Sequence, residues 1–337
     1  MTSTTPKENS RIANRELLVV DPKNRTLSAF EMETNLNKSP LHGLWAATNR
    51  ELKKWYKAPL LLILSLIQPV IWLGLFGKAM NFGAIFTGSS FNIPGLNIPK
   101  SVLDSLASQI MQSTFGTTDY FSFLAVGMLS FISLFMAMQS GMSVVWDRRL
   151  GFLNKELSTP LARGSIPMAK VFASVVRGLT QAAIVLLIAI LLGLSATHIT
   201  LIGALGAFAG IFLMIMGFSS LFVMLAVRST NQDTQMMIIN LLNLPLLFAS
   251  NAMFPAKFMP SWLQPFVWWN PVSHATDISR QLLLGSTGMS SLAFDFAYMG
   301  AFAAIFGNSW NNYLLEISFQ VIKETNPCRH LHNSSQQ

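Results

Sequence analysis

The sequence predicts an all-α polytopic membrane protein, and three observations lead to that prediction. Hydrophobic residues make up 51% of the 337 residues and charged residues only 11%, against roughly 25% charged in a typical soluble domain. Several apolar runs reach about 20 residues, the length that a helix needs to cross a bilayer. Basic residues concentrate in alternate segments between these runs, so we attribute the net charge of +8 to membrane orientation and expect no nucleic-acid partner.

The N-terminal part of the chain contains two segments of different character. Residues 1–40 are rich in Ser, Thr, Asn, Lys and Glu, which cannot bury a core, so we predict a disordered cytoplasmic tail. In residues 41–57, apolar side chains such as Leu41 and Trp45 recur at helical spacing, and cations such as Lys53 lie beside them. This pattern predicts an amphipathic helix in the membrane interface, and an ordinary entry to the next span is the alternative.

Six apolar segments follow within a domain of residues 58–310, and we predict that each one spans the membrane. Their predicted bounds are residues 59–80, 121–145, 171–196, 199–227, 236–254 and 291–307. The last segment is marginal in length, because at about 1.5 Å per residue it reaches only about 25 Å, against a hydrocarbon core of about 30 Å. Residues 311–337 are predicted to form a C-terminal tail.

The distribution of Lys and Arg predicts the orientation of the chain. If the N-terminus is inside, ten basic residues lie in the N-terminal segment and five lie in the loop of residues 146–170. The remaining inner segments hold one and two more, and the segments predicted to lie outside are poor in basic residues. The positive-inside rule therefore predicts a multi-pass protein of the plasma membrane with both termini in the cytoplasm.

A charged stretch, VVWDRRLGFLNKEL, covers residues 144–157 and leads into the predicted cytoplasmic loop of residues 146–170. Four apolar residues recur in it at intervals of three or four and predict an amphipathic helix over residues 146–157. They are Trp146, Leu150, Leu153 and Leu157. A plain solvated turn would need no such stripe. A docking surface for a soluble partner and a membrane-surface helix with snorkelling cations both remain open.

A proline-rich segment, residues 251–290, precedes the last predicted span. Pro255, Pro260 and Pro265 exclude a continuous helix through its first half, and three Trp residues in it suit the membrane interface. A helix is predicted after Pro271, with polar side chains among apolar neighbours. These side chains are His274, Asp277 and Arg280. We predict a broken, re-entrant-like segment on the outer side, and a long outer loop with incidental aromatic residues is the alternative.

Polar residues within the predicted spans are few. The amides of Gln68, Asn240 and Asn243 serve either helix packing or a translocation path. Arg177 either snorkels to the inner surface or pairs with a partner chain or an anionic substrate group.

The sequence has no G-x-x-x-x-G-K-[ST] or H-E-x-x-H motif and a single cysteine, so we expect no catalytic, cofactor or metal site in this chain.

Transport is the function class that remains. An ion-gradient-driven secondary transporter or channel is the alternative to an ATP-driven one, and it would need intramembrane carboxylates or an ion site at broken helices. The acidic residues near the predicted spans, such as Asp147 and Asp295, lie at the ends of spans. The hypothesis of a membrane-embedded enzyme has less support than either kind of transporter, because the sequence offers no convergent set of nucleophiles or metal ligands.

Three stretches resemble the permease subunits of type-2 ATP-binding cassette (ABC-2) exporters, especially the daunorubicin-resistance and lipo-oligosaccharide export group. NRELKKWYKAPLLLILSLIQPVIWLGLFG resembles the elbow helix and first span of that family. WDRRLGFLNKELSTPLARGSI resembles its coupling segment. SNAMFPAKFMPSWLQPFVWWNPVSHATDISR resembles its C-terminal consensus and contains Pro271, His274 and Arg280.

The resemblance implies a dimer of two permease copies, or of this chain with a related one, around a central path. It also implies a separate cytoplasmic ATPase subunit that binds ATP and Mg²⁺, so this chain itself would be no enzyme. The exported substrate would be amphipathic: a drug, a lipid or a lipid-linked saccharide. The residues expected to couple the permease to the ATPase are Trp146, Asp147, Arg148, Arg149, Gly151, Leu153, Glu156 and Leu157.

Cysteine labelling tests the predicted orientation once Cys328 has been replaced. Single cysteines near Ser10 and Arg163 should resist a membrane-impermeant reagent in intact cells, because the distribution of basic residues puts both inside. Single cysteines near Ser108 and Gln264 should react. Labelling at position 163 in intact cells would contradict the predicted orientation.

Overall fold

The computed structural model describes residues 40–79, 100–117, 119–152, 165–194, 199–229, 231–286 and 288–308. This part of the chain is helical and contains no β-strand. Apart from Pro40, the two predicted tails lie outside the described residues. The same holds for residues 153–157 of the charged stretch, which include the predicted coupling residues Leu153, Glu156 and Leu157.

Ten α-helices make up the described part of the chain. In order they are α1 (Pro40–Tyr56), α2 (Pro59–Trp72), α3 (Lys100–Phe115), α4 (Tyr120–Arg149), α5 (Ser165–Leu191), α6 (Leu201–Arg228), α7 (Gln232–Phe248), α8 (Gln264–Trp269), α9 (Pro271–Leu284) and α10 (Leu292–Asn308). Helix α2 continues as a π-helical segment, Leu73–Ala79, and a 3₁₀ turn at Ala256–Phe258 precedes α8.

A helix lies at each of the six positions predicted to span the membrane, namely α2, α4, α5, α6, α7 and α10. Within the described residues, three helices are long and apolar enough to cross a bilayer, and these are α4, α5 and α6. Helix α2 with its π-helical segment and helix α10 are apolar but shorter. The number of six spans therefore stays a prediction, and so does the interfacial position of α1.

Helix α4 lies at the centre of the bundle. Its N-terminus is capped by Asp119, whose carboxylate accepts a hydrogen bond from the Ser122 amide at 2.9 Å. The helix packs against α5, α6 and α9, and 24 of its 30 residues are buried. Helices α5 and α6 cover α4 and keep exposed apolar side chains such as Leu187 and Leu205 on their outer faces. Those faces suit contact with lipid.

Two glycines of α4 let neighbouring backbone approach the helix closely. A Cβ at Gly127 would lie 1.8 Å from the carbonyl oxygen of Ala252, and a Cβ at Gly141 would lie 2.5 Å from that of Phe222. Small residues at helix contacts permit such close approach inside membranes. Helix α4 is thus held at one level by the segment that follows α7 and at another level by α6.

The charged stretch differs from its prediction. The single helix predicted over residues 146–157 is wrong, because α4 ends at Arg149 and Gly151 has a φ of +69°. That left-handed conformation favours glycine after a helix end. A Cβ at Gly151 would meet no atom within 4 Å, so the backbone conformation, rather than close packing, requires glycine at this position.

Two further elements depart from the sequence-based expectations. Helix α3 was not predicted, because the segment Lys100–Phe115 mixes polar and apolar residues and lacks the continuous apolar run that was used to find spans. The fifth predicted span was extended to residue 254, but α7 ends at Phe248, three residues after Pro245. The chain then turns through residues 249–253.

The contact at Gly127 provides a test of the packing. Gly127→Ala should lower the melting temperature of the detergent-purified protein, because the new Cβ would overlap the Ala252 carbonyl and overpacking costs about 1–3 kcal/mol. Gly300→Ala in α10 is the matched control, since a Cβ there meets no atom within 4 Å. The control should leave the melting temperature unchanged or raise it. Equal melting temperatures for both variants would contradict the packing.

Candidate functional site

The two ends of the bundle differ in chemistry. At one end, α4 and α6 finish, α5 and α7 begin, and α1 lies alongside; we call this the charged end. At the other end lies the segment of residues 249–291, which contains α8 and α9; we call this the proline end. The residues predicted for ATPase coupling lie at the charged end, and those of the predicted C-terminal consensus lie at the proline end.

A buried lysine organises the charged end. Lys170, in the second turn of α5, is only 1% exposed. Its ammonium group donates a hydrogen bond to the carboxylate of Asp147 at the end of α4. The same nitrogen lies 3.7 Å from Oε1 of Glu51 on α1 and 3.4 Å from the carbonyl oxygen of Ser143. A cation removed from water requires such partners, so Lys170 fixes α1, α4 and α5 against one another.

Lys54 closes these charges into a ring. Its Nζ lies 2.9 Å from Oε1 of Glu51 and 3.5 Å from Oδ1 of Asp147. Arg50 donates a further hydrogen bond to Glu51, with 3.0 Å between Nη2 and Oε1. Lys54, Glu51, Lys170 and Asp147 therefore alternate in sign around the ring. Both carboxylates are buried, whereas Lys54 and Arg50 are half-exposed on α1.

The cations around Glu51 control its protonation. Burial alone would raise the pKa of this carboxyl group, but Lys170, Lys54 and Arg50 outweigh burial and lower the pKa from 4.5 to about 2. Glu51 is therefore ionised at neutral pH. A carboxylate stabilised in this way contributes to folding above its unfolded pKa, and the contribution is lost as pH falls through the folded pKa.

The next two residues of α4 contact two other helices. Arg148 donates from Nη1 to the Ser229 carbonyl at 2.8 Å and from Nη2 to the Val227 carbonyl at 3.1 Å. It thereby satisfies carbonyl groups that the end of α6 leaves free. Arg149 donates to the side-chain oxygen of Gln232, the first residue of α7. We call Asp147, Arg148 and Arg149 the α4 hub, because they join α4 to α1, α5, α6 and α7.

Apolar side chains project outward beside the α4 hub. Trp146 is 46% exposed and Leu150 is 59% exposed, and Phe152 beyond the turn at Gly151 is also exposed. Exposed large apolar groups at a polar helix end suit a contact surface for another molecule. Thus Asp147, Arg148 and Arg149 have partners inside the chain, whereas Trp146 and Leu150 are exposed.

A buried arginine organises the proline end. Arg280 of α9 donates from Nη1 to the Asn251 carbonyl at 2.7 Å, and from Nη2 to the carbonyls of Ala252 at 2.7 Å and Phe123 at 3.1 Å. Its guanidinium carbon lies 3.5 Å from the centroid of the Phe123 ring, within the range of a cation–π contact. Arg280 therefore ties the turn after α7 to α4.

The predicted residues Pro271 and His274 also take part in this end. Pro271 is the first residue of α9, where proline suits a helix start. Nδ1 of His274 lies 2.7 Å from Oδ1 of Asp295, and its Nε2 lies 2.8 Å from the Trp268 carbonyl. Since a carbonyl only accepts, Nε2 is the donor in the contact with Trp268. These contacts join α8, α9 and α10.

The four predicted intramembrane polar residues lie in different surroundings. Gln68 on α2 and Asn240 on α7 are exposed at the surface of the chain, and Asn243 is half-buried. Arg177 on α5 is partly buried, and its Nε donates to the Ala173 carbonyl at 3.2 Å. Whether these residues line a path stays a prediction, and so does the role of every residue predicted for ATPase coupling.

Sequence reasoning missed Glu51, Lys54 and Lys170 as site residues. Two signals pointed to them. Glu51 is an isolated acid among the cations of α1, and Lys170 opens an apolar segment that offers it no nearby acid in sequence. Neither signal names the partner, because the ion pairs join segments that are far apart along the chain.

The described part of the chain has three helices that are long and apolar enough to cross a bilayer, and these define a polytopic membrane protein. A family model described as ABC-2 type transporter matches residues 42–284. The chain belongs to that family and is a membrane component of an ABC transporter.

Known relatives are named as permeases. The chain is 28% identical over 281 residues to the putative transport permease ycf38 of Cyanophora paradoxa, covering 82% of this chain and 87% of the relative. It is 30% identical over 169 residues to the probable multidrug ABC transporter permease YbhR of Escherichia coli (strain K12), covering 49% and 45%. It is 26% identical over 196 residues to the daunorubicin resistance ABC transporter permease protein DrrB1 of Streptomyces coeruleorubidus, covering 56% and 67%. The resemblance seen in the sequence is confirmed.

The ring around Lys170 predicts a pH-dependent stability. Glu51→Gln should destabilise the protein by about 1–3 kcal/mol at pH 7, because it removes one of the two carboxylates that pair with a buried ammonium group and leaves that donor less fully satisfied. The melting-temperature difference from the wild type should stay constant from about pH 8 to pH 5. It should shrink as the pH falls below 4.5 towards about 2, where the wild-type carboxyl group also becomes neutral.

Asp233→Asn is the matched control for this measurement, since Asp233 is exposed in the first turn of α7. Its melting temperature at pH 7 should differ little from that of the wild type. If Glu51→Gln shows the same small effect as the control across the pH range, the ring contributes no stability.

Proposed function

We propose that this chain is the membrane-spanning permease subunit of an ATP-driven exporter. In this proposal a separate cytoplasmic ATPase subunit binds ATP and Mg²⁺, and this chain forms a dimer with a second copy or a related permease. The charged end faces the cytoplasm, both termini lie inside, and the complex resides in the plasma membrane. Membership of the ABC-2 family and the distribution of basic residues support these assignments.

The α4 hub is the observation that carries the proposal. Trp146 and Leu150 are exposed on either side of three residues that contact four other helices. A partner that presses on these apolar side chains therefore displaces α4 together with α1, α5, α6 and α7. This arrangement suits a permease that receives force from an ATPase at the charged end.

Helix α7 supports the proposed dimer. Only Gln235 and Leu247 of its 17 residues are buried, and the polar side chain of Asn240 lies among exposed apolar ones such as Met237 and Leu244. An amide in a lipid-facing position lacks hydrogen-bond partners in the hydrocarbon core, whereas a second permease could supply them. The exposed face of α7 is accordingly our candidate for the contact between permeases.

The proposed substrate is amphipathic: a drug, a lipid or a lipid-linked saccharide. The printed names of two relatives, which refer to multidrug transport and to daunorubicin resistance, support an apolar or amphipathic cargo. An ion-gradient-driven mechanism finds less support. The buried carboxylates Asp147, Asp277 and Asp295 each accept hydrogen bonds from neighbouring groups of the chain, which suits structural roles.

Co-purification with an ATPase tests the proposal. Leu150→Asp should release the ATPase from the detergent-solubilised complex, because burying an unpaired carboxylate at the contact costs about 3 kcal/mol, which corresponds to roughly 100-fold weaker binding. Leu150 is exposed, so the variant should fold as the wild type does. Arg149→Glu should keep the ATPase but reduce substrate-stimulated ATP hydrolysis, because it breaks the contact with Gln232.

Trp262→Asp is the matched control at the opposite end, where Trp262 is 68% exposed. It introduces the same charge in place of an exposed apolar side chain and should leave the ATPase bound. Normal ATPase binding and coupling by Leu150→Asp would show that Trp146 and Leu150 do not form the contact. Failure of the wild type to co-purify with any ATPase would contradict the proposed function itself.

A further inference from the structure

Arg177, a partly buried cation, makes fewer hydrogen bonds within the described residues than Lys170 or Arg280 does. Lys170 has two carboxylates nearby and Arg280 has three carbonyls. Arg177 donates only from Nε to the Ala173 carbonyl of its own helix. Its Nη2 is buried and makes no hydrogen bond to any described residue. Leaving a guanidinium nitrogen without an acceptor is costly in an apolar environment.

A second unpartnered group lies one turn farther along the same face of α5. Gln181 is fully buried, and its Nε2 donates to Oγ of Ser65 on α2. Its Oε1 is buried and has no donor among the described residues. Positions four residues apart on a helix are neighbours. Arg177 and Gln181 therefore place an unused donor and an unused acceptor on one face of α5, in the part of the helix that packs against α2.

This face lies inside the bundle's charged end and beside exposed surface. Arg177 follows Lys170 by seven residues, about 10 Å along the helix axis, and Gln181 lies about 6 Å beyond it. Neighbouring residues of α5, Val176 and Thr180, are exposed. An amphiphile in the membrane layer next to the charged end can therefore reach Arg177 from the side. Arg177 would meet its headgroup before Gln181 does.

We propose that Arg177 and Gln181 form a binding site for an amphiphile with an anionic, hydroxyl-bearing headgroup. The anionic group accepts hydrogen bonds from Nη2 of Arg177, and a headgroup hydroxyl donates to Oε1 of Gln181. A guanidinium group suits a phosphate or carboxylate because its planar fork presents two parallel donors. The inference rests on the proposed function and narrows its substrate class to acidic amphiphiles, taken from the leaflet at the charged end.

Lipid selectivity tests this site. The full-length protein, with any ATPase that co-purifies, is reconstituted without ATP, and its association with three spin-labelled probes is compared. The probes are phosphatidylglycerol, phosphatidylmethanol (anionic without a headgroup hydroxyl) and zwitterionic phosphatidylcholine. The wild type should prefer phosphatidylglycerol over both other lipids. Arg177→Met should reduce the preference over phosphatidylcholine about tenfold, the effect of losing one charge-assisted contact.

Two further variants separate the contributions of charge and hydroxyl. Arg177→Lys should keep part of the anionic selectivity, since it keeps the charge without the planar fork; it also serves if Arg177→Met fails to fold. Gln181→Leu should abolish the preference for phosphatidylglycerol over phosphatidylmethanol. Lys53→Gln on α1 is the matched control for loss of an exposed cation and should keep both preferences.

The outcomes distinguish this site from the proposed function. Lipid binding at Arg177 and Gln181 needs neither ATP nor the ATPase. Lipid binding can therefore fail while the ATPase co-purifies, and it can succeed while the ATPase does not co-purify. Unchanged selectivity in Arg177→Met, or in Arg177→Lys if the Met variant does not fold, would overturn the site. Equal association of the wild type with all three lipids would also overturn it. Competition by inorganic phosphate at the same concentration as the lipid would show that the site takes a free anion, which would overturn the assignment to an amphiphile.

Discussion

The buried ammonium group of Lys170 is the constraint on which the charged end depends. A cation at 1% exposure needs carboxylates or other hydrogen-bond acceptors within reach, because removal of a charge from water costs several kcal/mol. The two carboxylates that pair with it come from α1 and α4. This requirement holds α1 against the beginning of α5 and the end of α4, so the helix before the first predicted span becomes part of the bundle.

The helical period explains why three consecutive residues of the α4 hub reach different helices. Successive side chains of an α-helix point about 100° apart, so Asp147, Arg148 and Arg149 face three directions. Their partners are the ring on α1 and α5, the carbonyls at the end of α6 and the first residue of α7. A short polar sequence thereby connects the end of α4 with α1, α5, α6 and α7.

The sequence predicts this fold where local pattern decides and fails where distant segments decide. Hydropathy located α2, α4, α5, α6, α7 and α10, because each consists of an apolar run that is continuous in sequence. The pairing of Lys170 with Glu51 depends on tertiary packing. The helix end at Arg149 was missed because apolar spacing carries no information about the φ of Gly151. Arg280 was identified as a consensus residue, but its three carbonyl acceptors come from segments that only the fold brings together.

The buried polar groups of the chain differ in how fully their hydrogen bonds are satisfied. The ring around Lys170 and the carbonyl contacts of Arg280 give the charged groups at each end several partners, which favours one fixed arrangement there. Other atoms are buried without hydrogen-bond partners among the described residues, and they include atoms of Arg177, Gln181, Gln235, Asn251 and Arg280. Each unsatisfied group raises the free energy of this arrangement by about 1–3 kcal/mol. A ligand, a second chain or another arrangement of the helices that supplies those partners is therefore favoured, and a transport cycle requires such a bias between states.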